Sequence, residues 1–200
     1  MEPIKNTNVH WCFLFTHVGQ SKLEWYNKTM SKIYITGISG TGKTSIANRL
    51  NEKGIKAFSI DEVPDLCHWV SKVDGKIVDY EAKLDRTFIE SHQWVCNIGT
   101  LKNLIDQKGT VVVLGLAENQ NEFLPLFDKV ILLRCKPETF LKRINERKDN
   151  VFGQDKSAQE YLLSTYEKYE NDMLQNGAVS INVEEPLNTV IENILREIKE

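Results

Sequence analysis

The chain has no surplus of positive charge. Lys and Arg number 25 against 28 Asp and Glu in 200 residues, a net charge of −3, so it lacks the basic field that holds a phosphate polymer, and no nucleic-acid partner is expected. It also has no apolar run approaching the ~20 residues that span a bilayer. The longest early run, Val9 to Val18, is interrupted by His10, Thr16 and His17, and no membrane partner is expected. Cysteine is sparse and scattered: Cys12, Cys67, Cys96 and Cys135 form no C-x-x-C and no close pair. That pattern writes neither a disulfide framework nor a zinc knuckle, and it fits a reducing, cytoplasmic setting. His92 and Cys96 would share a helical face four residues apart, but joined to Cys67-His68 they make no recognised zinc spacing, so small buried side chains are the simpler reading.

What is there reads as one cored domain. Hydrophobic residues make up 41% and charged residues 26%, and the length suits a single domain with an appendage rather than two full domains. Residues 1–30 carry Trp11, Phe13, Leu14, Phe15, Trp25 and Tyr26 without sustained helical or strand period, and read as that appendage. Met-Glu-Pro-Ile-Lys lacks the basic start of a secretory signal, and Met30, directly before a strand pattern, is a plausible alternative start.

From residue 31 to 200, short β-branched runs alternate with longer helical stretches, the mark of β-α-β units building a parallel sheet. Five strands are expected at Ile33 to Thr36, Ala57 to Ile60, Thr110 to Gly115, Lys129 to Arg134 and Ala178 to Val183. Each is largely apolar, as strands covered by helices on both faces must be. The last helix carries Leu187, Val190, Ile191, Ile194, Leu195 and Ile198 on one stripe, and an earlier one carries Ala158, Leu162, Thr165, Tyr169 and Met173; both stripes read as core. Asp79 to Lys108 reads as helical, broken near Cys96 to Gly99.

Gly37-Ile38-Ser39-Gly40-Thr41-Gly42-Lys43-Thr44, followed by Ser45, satisfies G-x-x-x-x-G-K-[ST] between an expected strand and an expected helix. Such a P-loop turns its backbone N–H groups inward around phosphate oxygens, which needs glycine where a Cβ would collide or φ is positive. Lys43 is then the cation for the β and γ phosphates of ATP, and the Thr44 hydroxyl is a ligand for Mg²⁺. The N-K-x-D with which GTPases read guanine is missing, and Asp106-Gln107-Lys108-Gly109 reads as a helix end. Many ATPases hold Mg²⁺ with an acid at the end of a core strand, but Val111-Val112-Val113-Leu114 ends in Gly115. Asp61, just past the second strand, is the substitute; the plainer alternative for it is a helix cap.

With these residues the chain from Lys32 onward resembles the small P-loop kinases of the adenylate, shikimate and gluconate kinase group. Within that group, Leu114-Gly115-Leu116-Ala117-Glu118-Asn119-Gln120 and Phe127-Asp128-Lys129-Val130 are similar to bacterial ATP-binding, nucleotide-kinase-like proteins with an AAA domain. The resemblance implies an α/β P-loop NTPase fold, a three-layer sandwich of a five-stranded parallel sheet with helices on both faces. It implies that Asp61 meets Mg²⁺ or the acceptor hydroxyl. It also implies that Arg143 and Arg147, at i and i+4, project from one helical face toward a lid at about 148–157 and close over the transition state.

A helical insert at about 62–108 is expected to hold the acceptor. Arg86 is the one arginine between Asp61 and Gly109, which makes a doubly charged acceptor doubtful; His68, Trp69 and Trp94, with Asp65, Asn119 and Gln120, suit a weakly charged ring or sugar. The expected activity is transfer of the γ-phosphoryl of Mg-ATP to a small polar acceptor (nucleoside, nucleotide or hydroxylated metabolite), by a monomer or homodimer. The alternative is a nucleotide-binding regulatory module with little or no turnover.

Overall fold

The computed structural model describes residues 31–78, 84–148 and 150–199; the appendage expected at 1–30 lies outside them. The chain runs β1 (Lys32–Thr36), α1 (Lys43–Glu52), β2 (Lys56–Ser59), β3 (Cys67–Ser71), β4 (Ile77–Val78), α2 (Arg86–Ser91), β5 (His92–Cys96) and α3 (Ile98–Ile105). It continues through β6 (Val111–Leu114), α4 (Gln120–Phe123), a 3₁₀ turn at Leu124–Leu126, β7 (Lys129–Arg134), α5 (Pro137–Glu146), α6 (Lys156–Gln175), β8 (Val179–Asn182) and α7 (Leu187–Lys199).

Five strands form a parallel sheet in the order β2-β6-β1-β7-β8, which is the P-loop NTPase α/β fold. Strand alternation sorts its side chains into two cores. Ile33, Ile35, Val112, Leu114, Ile131 and Leu133 pack against Ile46, Ala47 and Leu50 of α1 and Val190, Ile191 and Ile194 of α7. On the other face Tyr34, Val111 and Val113 pack against Leu101 and Ile105 of α3 and Phe123 of α4, while Leu132 meets Met173 of α6. Each fully buried Leu or Ile contributes roughly 1.5–3 kcal/mol relative to exposure, and burial on both faces is why these strands read as continuous apolar runs.

The segment after β2 differs from the helical insert expected there. Residues 67–96 build a second sheet, antiparallel and three-stranded in the order β4-β3-β5, with helical turns only at α2 and, beyond it, α3. The register sets Cys67 opposite Cys96 and Trp69 opposite Trp94. His92-Gln93-Trp94-Val95-Cys96 fits a helical period in isolation, but its aromatic and β-branched residues alternate and find a partner in Cys67-His68-Trp69-Val70-Ser71, and pairing overrides the local pattern. The bond from Asn97 N–H to Leu66 O (2.7 Å) extends the β3–β5 pairing by one residue, and the small sheet is fastened to the segment beyond β6 of the large one by the backbone bond from Glu118 N–H to Trp94 O (2.8 Å). The Asn119 amide also grips both polar groups of the Cys96 backbone, at 2.9 Å and 3.0 Å.

Candidate functional site

The carboxyl ends of β1, β2 and β6 and the inner face of the small sheet enclose one cavity of about 930 Å³. Its floor is the P-loop between β1 and α1. Gly37, Gly40 and Gly42 take φ values of 154°, 87° and 90°, and Thr41, buried, ties the loop with its hydroxyl donating to Ile38 O at 2.8 Å. The N-cap of α1 is Gly42, which offers no side-chain cap, so the first-turn N–H groups point at the loop centre, where an anion is favoured. The Lys43 ammonium donates to Gly37 O (2.6 Å) and Ile38 O (3.0 Å). Desolvation there lowers its pKa to about 8, against the opposing pull of Asp61 and with some help from Arg147.

All nine P-loop positions expected to bind nucleotide border this region, and Ile38 to Ser45 line the cavity itself. Gly37 stands at its base, where a Cβ would lie 2.7 Å from Leu133 O. Asp61 lines the cavity beside them, one residue beyond Ile60, whose N–H still bonds to Leu114 O. No helix begins at Asp61, so it is not a helix cap; its Oδ1 accepts from Trp94 Nε1 at 3.2 Å. An acid cannot take the place of Gly115 at the end of β6, because a Cβ there would stand 2.1 Å from Ile60 Cγ1. Thr44 and Asp61 are both oxygen donors on the cavity wall, a donor type that fits Mg²⁺.

The two lid arginines do not share a helical face. Arg143 lies in the last turn of α5 and its Nη2 donates to Val183 O at 2.9 Å. Arg147 is already outside the helix with extended backbone (ψ 149°), because nothing apolar follows Ile144 to hold another turn on the core. Its Nη2 donates to Ser39 Oγ of the P-loop at 3.0 Å and to Phe152 O. Both arginines line the cavity.

The far end is aromatic. Trp69 and Trp94 line it, with ring centroids 5.4 Å apart, and Phe152 from the loop after α5 faces Trp69 at 6.4 Å with ring planes 28° apart. Tyr161, Thr165 and Tyr169 of α6 complete the wall, so the α6 stripe read as core is only partly so. Glu118 supplies a carboxylate whose pKa is raised by burial, against the pull of Lys72 at 3.5 Å. His68, Asp65, Asn119 and Gln120 are not on this wall. Asn119 is spent on Cys96, and Gln120 is buried against Met173 Sδ at 3.3 Å. Phe152 and Tyr161 line the cavity but are not among the site residues expected from the sequence; the signal there is Phe152 as the one aromatic residue of the polar segment between α5 and α6.

A phosphate-binding loop beneath a parallel sheet's crevice, facing an aromatic wall across one cavity, defines a P-loop protein of the kinase-like group. The chain belongs to the AAA domain family, whose model matches residues 33–163. A shikimate kinase of Bacillus cytotoxicus is 27% identical over 176 residues, covering 84% of this chain and 99% of that protein. Among solved structures, shikimate kinase from Acinetobacter baumannii in complex with shikimate superposes with a TM-score of 0.56 at 20% identity, over 86% of this chain and 94% of that one. Deoxyadenosine kinase from M. mycoides with bound dATP gives a TM-score of 0.56 at 17% identity, over 85% and 100%. The chain's homologues and structural neighbours are thus small-molecule and nucleotide kinases. Among the described residues no helix is long and apolar enough to cross a membrane.

Proposed function

We propose that this chain is an ATP-dependent phosphotransferase that moves the γ-phosphoryl group of Mg-ATP to a hydroxyl of a small polar acceptor. The observation that carries the reading is the continuity of one cavity from the P-loop to the aromatic wall, with Asp61 lining it and bonded to Trp94 on that wall. A protein that only bound nucleotide would have no use for the second end.

In this reading the P-loop N–H groups and the first turn of α1 hold the phosphate chain, and Lys43 draws electron density from the bridging and terminal oxygens. Thr44 and Asp61 would hold Mg²⁺, which when bound neutralises phosphate charge. Asp61 orients the acceptor hydroxyl and takes its proton as the oxygen bonds to phosphorus. Arg147, already on Ser39, lies over the loop where transferred charge spreads, whereas Arg143 must leave Val183 O to join it.

The test is ADP formation by the full chain with Mg-ATP, with and without pools of hydroxylated metabolites. Acceptor-dependent ADP release is expected. Tight ATP binding with no pool raising ADP above the acceptor-free rate would overturn the reading in favour of a regulatory nucleotide-binding module.

A further inference from the structure

We propose that the acceptor is an uncharged, heterocycle-bearing alcohol of the nucleoside class, held by its flat ring on the Trp69–Trp94–Phe152 wall and by its hydrogen-bond donors on Glu118. The proposal rests on the phosphotransferase reading and narrows its substrate. It excludes acceptors that bring their own anion, whether a phosphate ester or a carboxylate.

The argument begins with the distribution of charge along the cavity. Lys43, Arg143 and Arg147 are the only lysine and arginines among the described residues of its wall. Lys43 is bonded to the P-loop, Arg147 to Ser39 of the P-loop and to the Phe152 carbonyl, and Arg143 to Val183 O. The aromatic end carries Glu118, and Asp61 lies where Trp94 bonds it. Lys72, the nearest described cation to Glu118, is paired with it at 3.5 Å and also donates to the backbone oxygens of Ile89 and Glu90, both at 3.3 Å. Among the described residues, an acceptor's phosphate or carboxylate placed here would face two carboxylates, and the guanidinium groups on the wall, the groups that suit such anions, are already bonded to Ser39, Phe152 O and Val183 O.

The same wall favours a flat ring. Trp69, Trp94 and Phe152 present aromatic surface, and Leu84, Ile89 and Leu116 close the apolar part around it. A carboxylate accepts hydrogen bonds and donates none. Glu118 is therefore matched by the amino and ring N–H groups of a base, as Asp61 is matched by a hydroxyl. Glu118 is anchored beside Trp94 through its own backbone, whose N–H donates to Trp94 O at 2.8 Å. The reaction balances without another reagent: the acceptor oxygen bonds to the γ-phosphorus, the bond to the ADP oxygen breaks, and the hydroxyl proton leaves through Asp61 to solvent.

The experiment measures ADP formation by the full chain with Mg-ATP and, in separate arms, ribo- and deoxyribonucleosides, their 5′-monophosphates, and shikimate as a hydroxylated carboxylate. At least one nucleoside should be turned over with kcat/KM about 100-fold or more above its monophosphate and above shikimate, since an anion against like charge is strongly disfavoured. Glu118→Gln keeps the backbone bond and the shape, and should raise KM for that nucleoside about tenfold while leaving ATP affinity unchanged. Preferred turnover of a monophosphate or of shikimate overturns the acceptor inference and upholds the phosphotransferase reading. An unchanged nucleoside KM in Glu118→Gln overturns the role of Glu118. If no arm yields ADP, the acceptor inference falls, and if metabolite pools are also silent while ATP binds, the phosphotransferase reading falls with it.

Discussion

Raising the pH should weaken ATP binding through one named group. Lys43 has its pKa lowered from 10.5 to about 8, chiefly because the loop desolvates its ammonium, with Asp61 opposing the shift. Bound phosphates place negative charge on the ammonium and return its pKa toward the ordinary value, so above pH 8 each ATP that binds must bring a proton with it. The free protein binds fewer protons than the complex in that window, and affinity falls as pH rises. With a free-state pKa of about 8 and a bound-state value near 10.5, Kd should rise about tenfold between pH 7 and pH 9. The γ-phosphate of ATP is already ionised in this range and does not mask the effect. Titration calorimetry in two buffers of different ionisation enthalpy should show uptake approaching one proton per ATP at pH 9. Lys43→Met should bind ATP weakly at every pH and lose the slope. A Kd that stays flat from pH 7 to 9 in the unaltered chain, with no proton taken up, would refute the reasoning.

Asp61→Asn keeps size and the bond from Trp94 but removes the charge, so acceptor phosphorylation should fall at least about 100-fold while ATP affinity moves less than about tenfold. Equal loss of both would assign Asp61 to nucleotide binding alone. Gly40→Ala places a Cβ 2.6 Å from Phe140 O at φ 87°, whereas Gly42→Ala at φ 90° meets nothing within 4 Å. Thermal unfolding should therefore show Gly40→Ala less stable than Gly42→Ala, whose cost is the ~1–2 kcal/mol of a left-handed residue alone; the reverse order would contradict the loop geometry. Asn119→Ala strips the Cys96 backbone of two partners and should cost about 1–3 kcal/mol in denaturant unfolding. A loss below ~0.5 kcal/mol, within the usual range for surface changes, would mean that the two sheets are not fastened there.

The large sheet was legible because strands buried on both faces declare themselves as apolar runs, as Val111-Val112-Val113-Leu114 does. The P-loop was legible because its glycines answer a local steric demand. Asp61 could be placed from its position past β2, although its bond to Trp94 could not. The small sheet was not legible. Cys67-His68-Trp69-Val70-Ser71 and His92-Gln93-Trp94-Val95-Cys96 are short and mixed in polarity, and their stability comes from pairing across the sequence between them. Trp69 and Trp94 were chosen for their chemistry, but only the register sets them side by side. Glu118 is visible in the sequence only as one residue of the run Leu114 to Gln120, and its place on the cavity wall follows from the backbone bond to Trp94 across two sheets. The separation of Arg143 from Arg147 depends on a helix ending one residue before Arg147, which periodicity does not fix.

The loop after α5 touches both ends of the cavity. Arg147 bonds to Ser39 at the phosphate end and to the carbonyl of Phe152, whose ring faces Trp69 at the other. In the proposed reaction this one short segment would touch both substrates. A ligand that holds it at one end would favour its contacts at the other, so ATP and acceptor should tighten each other by the same factor, whichever arrives first. Water, which stacks on no ring, gives the segment nothing to fasten onto and makes a poor competitor for the phosphoryl group. The synergy between substrates and the restraint on idle hydrolysis would then have a common origin, the bonds of Arg147 to Ser39 and to Phe152.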